Sequence, residues 1–81
     1  DAYPNPFNPM TTIRFELAHA AHACLIIYDL TGREVAQLVN GPLSSGAHEI
    51  SFDARALPSG VYFYSLISAN HRLTRKLLLV K

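Results

Sequence analysis

Turn-forming residues cut this chain into short β-prone stretches, and none of those stretches carries a helical period. Thr31-Gly32, Asn40-Gly41-Pro42, Ser45-Gly46, Pro58-Ser59-Gly60 and Asn70-His71 punctuate it at spacings close to the roughly 8–12 residues of an all-β sandwich or barrel. Glycine accepts positive φ at such corners and proline fixes its own φ near about −65°. The segments between them predict strands over 11–17, 22–29, 33–39, 47–53, 60–67 and 72–80, with Thr31-Gly32 closing a tight hairpin. With the opening segment the count comes to about seven strands. The expected fold from this pattern is an all-β sandwich or barrel with mainly antiparallel neighbours.

Alternation assigns the faces. Ile13, Phe15 and Leu17 share one side of the first strand, and His48, Ile50 and Phe52 one side of another, with polar residues opposite in both. Three strands break that rule. Ala23, Leu25 and Ile27 oppose Cys24, Ile26 and Tyr28; Tyr62, Tyr64 and Leu66 oppose Val61, Phe63 and Ile67; "LLLV" is apolar on both sides. A two-sheet sandwich buries one face of each sheet. The surplus must be covered by the chain's own loops or by something else, and an uncovered face predicts self-association as concentration rises.

The opening "DAYPNPFNPM" is stiff and poor in donors. Each asparagine precedes a proline, which favours extended geometry, and prolines can lie along a sheet edge without offering a full ladder. Residues 1–10 therefore read as a rigid lead-in packed on the sandwich, within a single domain spanning 1–81. Such a small chain buries only about 60% of the surface its unfolded form exposes. The chain lacks an initiating methionine and a signal peptide, which suggests a piece of a longer precursor.

Composition excludes several function classes. A net charge of +1 with scattered Lys and Arg gives no electrostatic footprint for nucleic acid. The apolar runs "ACLII" and "LLLV" are too short to span a bilayer. Cys24 is the sole cysteine; among Leu25, Ile26 and Ile27 it reads as an inert, largely buried thiol. His19 and His22 would point to opposite faces of a strand, and His48 and His71 stand alone. No spacing marks Glu16, Asp29, Glu34, Glu49 or Asp53 as an acid/base pair, and neither a nucleophile elbow nor a phosphate-cradling loop occurs. The chain is expected to be non-catalytic and to carry no cofactor or metal.

Four stretches, "YPNPFNPMTTIRFEL", "LIIYDLTGREVAQL", "GAHEISFDARALPSGVYFYSL" and "TRKLLLVK", together resemble the type A C-terminal sorting domain of the type IX (Por) secretion system. The resemblance runs from Tyr3 to Lys81. That family is in turn similar to the immunoglobulin-like domain of flagellar hook-capping proteins, so the resemblance implies an all-β, immunoglobulin-like β-sandwich of about seven mainly antiparallel strands. Pro4-Asn5-Pro6 matches its opening motif, and Tyr28-Asp29-Leu30 with Gly32-Arg33-Glu34-Val35 its central hairpin. Gly60-Val61-Tyr62 matches the penultimate strand, and Lys76, Leu77, Leu78, Leu79, Val80 and Lys81 the last one. His19 and Ala20 replace the family's proline and small polar residues after the first strand, and His22 and Ala23 its valine-led second strand.

The resemblance implies an address label. It implies transit through the periplasm, recognition by an outer-membrane translocon, removal by a sortase-like peptidase, and release of the preceding cargo domain or its attachment to surface lipopolysaccharide. Two rival readings stand beside it: a structural or surface-anchoring module of a secreted enzyme, and a carbohydrate-binding appendage. Residue roles are open too. Turns alone would account for Gly32 and Gly60, and packing alone for Tyr28 and Tyr62.

Overall fold

The computed structural model describes residues 1–81 and contains seven strands in two sheets. They are β1 (Ala2–Tyr3), β2 (Met10–Leu17), β3 (Ala21–Asp29), β4 (Glu34–Leu43), β5 (Gly46–Asp53), β6 (Gly60–Ser68) and β7 (His71–Leu79). One sheet runs β1-β2-β5 and the other β4-β3-β6-β7, with every strand pair antiparallel. The fold is the expected β-sandwich.

Between the sheets lies the core. Ile13 and Phe52 from the smaller sheet meet Leu25, Ile27, Tyr64, Leu66, Leu77 and Leu79 from the larger. Each occupies the inward position of an alternating strand, so the two-residue period of the sequence translates directly into burial. Tyr62, at the start of β6, is buried as well, and its hydroxyl donates to the Pro58 carbonyl at 2.6 Å. A tyrosine tied back to the backbone just upstream of its strand is a recurrent corner in immunoglobulin-like sandwiches.

Two turn assignments need correction. Asn40-Gly41-Pro42 is not a turn: β4 continues through it, pairing Pro42 with His22 and Leu43 with Ala21. Proline is tolerated there because β4 is an edge strand. At the other hairpin, His71 pairs with Ser68, so the corner is Ala69-Asn70 and not Asn70-His71. The last strand accordingly spans His71–Leu79, one residue earlier at each end than expected.

β4 also hides a second irregularity. Its register against β3 slips twice, leaving Leu38 and Val35 as the extra residues of two bulges. Val35, Ala36, Leu38 and Val39 all pack against the core, while Glu34, Gln37 and Asn40 are exposed. The outward residues therefore recur every third position.

Candidate recognition surface

The lead-in changes sheets part-way along its length. Ala2 and Tyr3 pair with Ile13 and Thr12 on the free edge of β2. Thr11 Oγ1 then donates to the Pro4 carbonyl at 2.6 Å, and from there the chain crosses to the free edge of β7. Phe7 N–H donates to the Leu78 carbonyl and the Phe7 carbonyl accepts from Val80 N–H, both at 2.9 Å, in a short parallel bridge. Asn5 fills the gap that proline leaves. Its side-chain amide donates to the Lys76 carbonyl and accepts from Leu78 N–H, both at 3.0 Å. A side-chain amide here takes the place of a backbone peptide between two residues that have no N–H.

Pro4-Asn5-Pro6 and the terminal strand, more than seventy residues apart in sequence, are thus one structural element. The bonds hold the edge groups of Lys76, Leu78 and Val80, so the lead-in covers the C-terminal half of that edge. Phe7 is the residue that sequence reasoning missed. It is 2% exposed, its ring lies 5.9 Å from that of Phe52, and it belongs to the core cluster. The available signal was that it is the one aromatic side chain between Pro4 and Pro9.

A second grouping lies at the same end of the molecule. Gly32 N–H donates to the Asp29 carbonyl and Asp29 N–H to the Arg33 carbonyl, closing the β3–β4 hairpin. Gly32 sits at φ +87°, a region that favours glycine. Asp29 Oδ1 accepts from Thr31 Oγ1 at 2.6 Å, Thr31 N–H at 2.9 Å and Arg33 N–H at 3.0 Å. Asp29 and Leu30 share a shallow groove with Ser59, Gly60, Val61 and Tyr62. The terminal Lys81 is fastened nearby: its N–H donates to Ser59 Oγ at 3.1 Å and its Nζ to the Arg55 carbonyl at 2.8 Å. Arg33 Nε lies 3.8 Å from Asp29 Oδ2 in a loose ion pair, with most of the arginine side chain in solvent.

In the terminal strand, burial alternates sharply. Leu77 and Leu79 are in the core, whereas Leu78 and Val80 are 38% and 48% exposed, and Lys76 and Lys81 are exposed too. Residues 1–81, the entire chain, match the secretion system C-terminal sorting domain family. The chain belongs to the type IX secretion sorting domains. No curated protein matches it. Its family is generally non-catalytic, and membership makes the chain a C-terminal sorting signal that is joined to a cargo, engages the type IX machinery and sends the cargo to the cell surface or beyond.

The sorting domain's other broad surface is the outer face of the four-stranded sheet. Cys24, Ile26 and Tyr28 of β3 and Val61, Phe63 and Ile67 of β6 are half-buried there and take no part in the core. Cys24 is partly buried on this outward face, opposite Ala23, Leu25 and Ile27 as the alternation implied, with Sγ 3.5 Å from Asn40 Oδ1. Tyr28 stands opposite Phe63 on this face, away from the core. The smaller sheet's outer face is polar, carrying Thr12, Ser51 and the Arg14–Glu49 ion pair at 3.0 Å.

Asp29 gives the hairpin a pH signature. Hydrogen bonds from Thr31 and then Arg33 hold its carboxyl below the ordinary value of 3.8. A carboxylate whose pKa is lowered by folding contributes stability above its unfolded-state value, and that contribution disappears as pH falls through the folded value. Asp53, held low by Arg55, acts in the same direction. The two carboxylates together predict that thermal melts decline as pH falls below about 4. Asp29→Asn should melt lower than the parent at pH 7, with the gap closing as the pH drops under 3.8. A gap that stays constant with pH would show that the charge on Asp29 is irrelevant to the turn.

Proposed function

We propose that the outer-membrane translocon of the type IX system reads this chain through a composite of its two ends: Pro4-Asn5-Pro6 bonded to the strand that carries Lys76, Leu78, Val80 and Lys81. The Asn5 side chain is the observation that carries the reading. It ties the opening motif to Lys76 and Leu78, so a partner meeting the terminal strand meets both motifs together. Asp29, Gly32, Arg33, Gly60 and Tyr62 build the adjoining corner, Tyr28 stands on the outer sheet face opposite Phe63, and Leu77 and Leu79 root the strand in the core. The cargo precedes the domain, crosses the periplasm with it, and is freed by a sortase-like peptidase or transferred to surface lipopolysaccharide.

Export of a reporter fused ahead of the chain tests this. Lys76→Ala combined with Lys81→Ala is expected to depress export strongly in a bacterium with an intact type IX system. Changes at exposed positions alter stability by about 0.5 kcal/mol or less; the Lys81–Arg55 bond is itself exposed, so melting of the purified chain should scarcely move. Undiminished export by the double variant would remove the lysines from the recognition signal.

A further inference from the structure

The apolar outer face of the β4-β3-β6-β7 sheet has its own charge pattern. Strand register aligns its residues in rows across the sheet. Glu34, Tyr28, Phe63 and Lys76 form one row. Gln37, Ile26, Ser65 and Thr74 form the next, and Asn40, Cys24, Ile67 and Arg72 the third. An apolar stripe on the two central strands is thus bordered by an acidic residue on the β4 side and by basic residues on the β7 side.

We propose that this face docks a second copy of the same chain, sheet on sheet, about a two-fold axis running along the strands between β3 and β6. That operation lays β4 of one copy over β7 of the other and returns each row onto itself. Glu34 then faces Lys76, and Tyr28 faces Phe63, each twice by symmetry. Ile26 comes over Ser65, a small side chain only 3% exposed that sits low among its neighbours. Aligned sheets pack at about −30°, which offsets facing edge strands by roughly 4 Å, within reach of a Lys–Glu pair. The alternative in-plane axis, across the strands, superposes Lys76 on Arg72 and is opposed by like charge.

The size of the face limits the strength. Four strands about 4.8 Å apart and about five residues long present some 300–350 Å² of flat area per copy. That lies at the weak, transient end of specific interfaces, so the dissociation constant should fall between about ten micromolar and one millimolar.

Sedimentation of the 81-residue chain across that range tests the proposal. Glu34→Lys sets lysine against lysine across the axis, and Lys76→Glu sets glutamate against glutamate. Each variant alone should therefore self-associate at least about tenfold more weakly than the parent. Mixed in equal amounts, the two variants should form a heterodimer with affinity within about threefold of the parent, because one copy's lysines then meet the other's glutamates at both ends of the row. Both positions are exposed, so folding should be retained. If either variant failed to fold, Glu34→Lys with Lys76→Glu in one chain should recover the homodimer. A parent that stays monomeric at millimolar concentration would overturn the proposal and assign the face to a different partner. Undiminished self-association of the single variants, or a mixture no better than its components, would overturn it equally.

Discussion

Phe7→Ala is expected to destabilise the chain by about 3–5 kcal/mol, the range for removing a buried phenylalanine. A chain of this length has about 4–12 kcal/mol in all, so the variant should lose a quarter or more of its stability. Its melting temperature should drop by at least about 12 °C. The reason is more than a cavity beside Phe52. Phe7 anchors the lead-in through its ring, while its backbone joins Leu78 and Val80. A lead-in that loosens would bare the β7 edge, and unpaired strand edges template aggregation. Turbidity on heating should therefore rise together with the loss of stability. Phe7→Leu, which keeps the site apolar and most of its volume, should fall well short of that loss. Circular dichroism melts distinguish these outcomes. A Phe7→Ala melt within a few degrees of the parent would mean that the sandwich closes without its lead-in.

Most of the architecture was legible because alternation is a local property. Ile13 and Phe52, or Leu25 and Ile27, declare their face by what stands beside them in sequence. The β4 strand resisted the same treatment. Its two bulges insert Val35 and Leu38, which turns a two-residue period into a three-residue one, and nothing in "EVAQLVNGP" marks where a bulge will fall. The same stretch carries Asn40-Gly41-Pro42, a turn signal by composition. Edge position removes the penalty on Pro42, and edge position is decided by tertiary pairing.

The candidate recognition surface was only half legible for a related reason. The opening prolines indicated an edge-covering segment, but the edge they meet belongs to the strand farthest away in sequence. Asn5 reads as a turn residue until its amide is seen between Lys76 and Leu78. The two-sided character of β3 and β6 was visible in "ACLIIY" and "VYFYSLI". That Tyr28 shares a row with Phe63, Glu34 and Lys76 follows from inter-strand register, and the sequence of one strand carries no record of its neighbour's phase.

The terminal leucines allow folding and recognition to be pulled apart. Leu77→Ala should cost about 2–5 kcal/mol, since Leu77 is wholly buried. By the scaling used above its melting temperature should fall by at least about 8 °C. Leu78→Ala, one residue on, removes a side chain that already stands 38% in solvent on the opposite face, and its melting should change far less. Export of a fused cargo need not follow that order. If the strand served only to complete the sandwich, export would track stability, and Leu78→Ala would be exported like the parent. If outward side chains are read, Leu78→Ala should be exported poorly while fully folded. Leu77→Ala should then lose export only to the extent that it unfolds, and cooling the cells should restore it. Melting and export measured on the same pair of variants decide between these accounts. Parental export of a folded Leu78→Ala would remove the Leu78 side chain from the recognition signal.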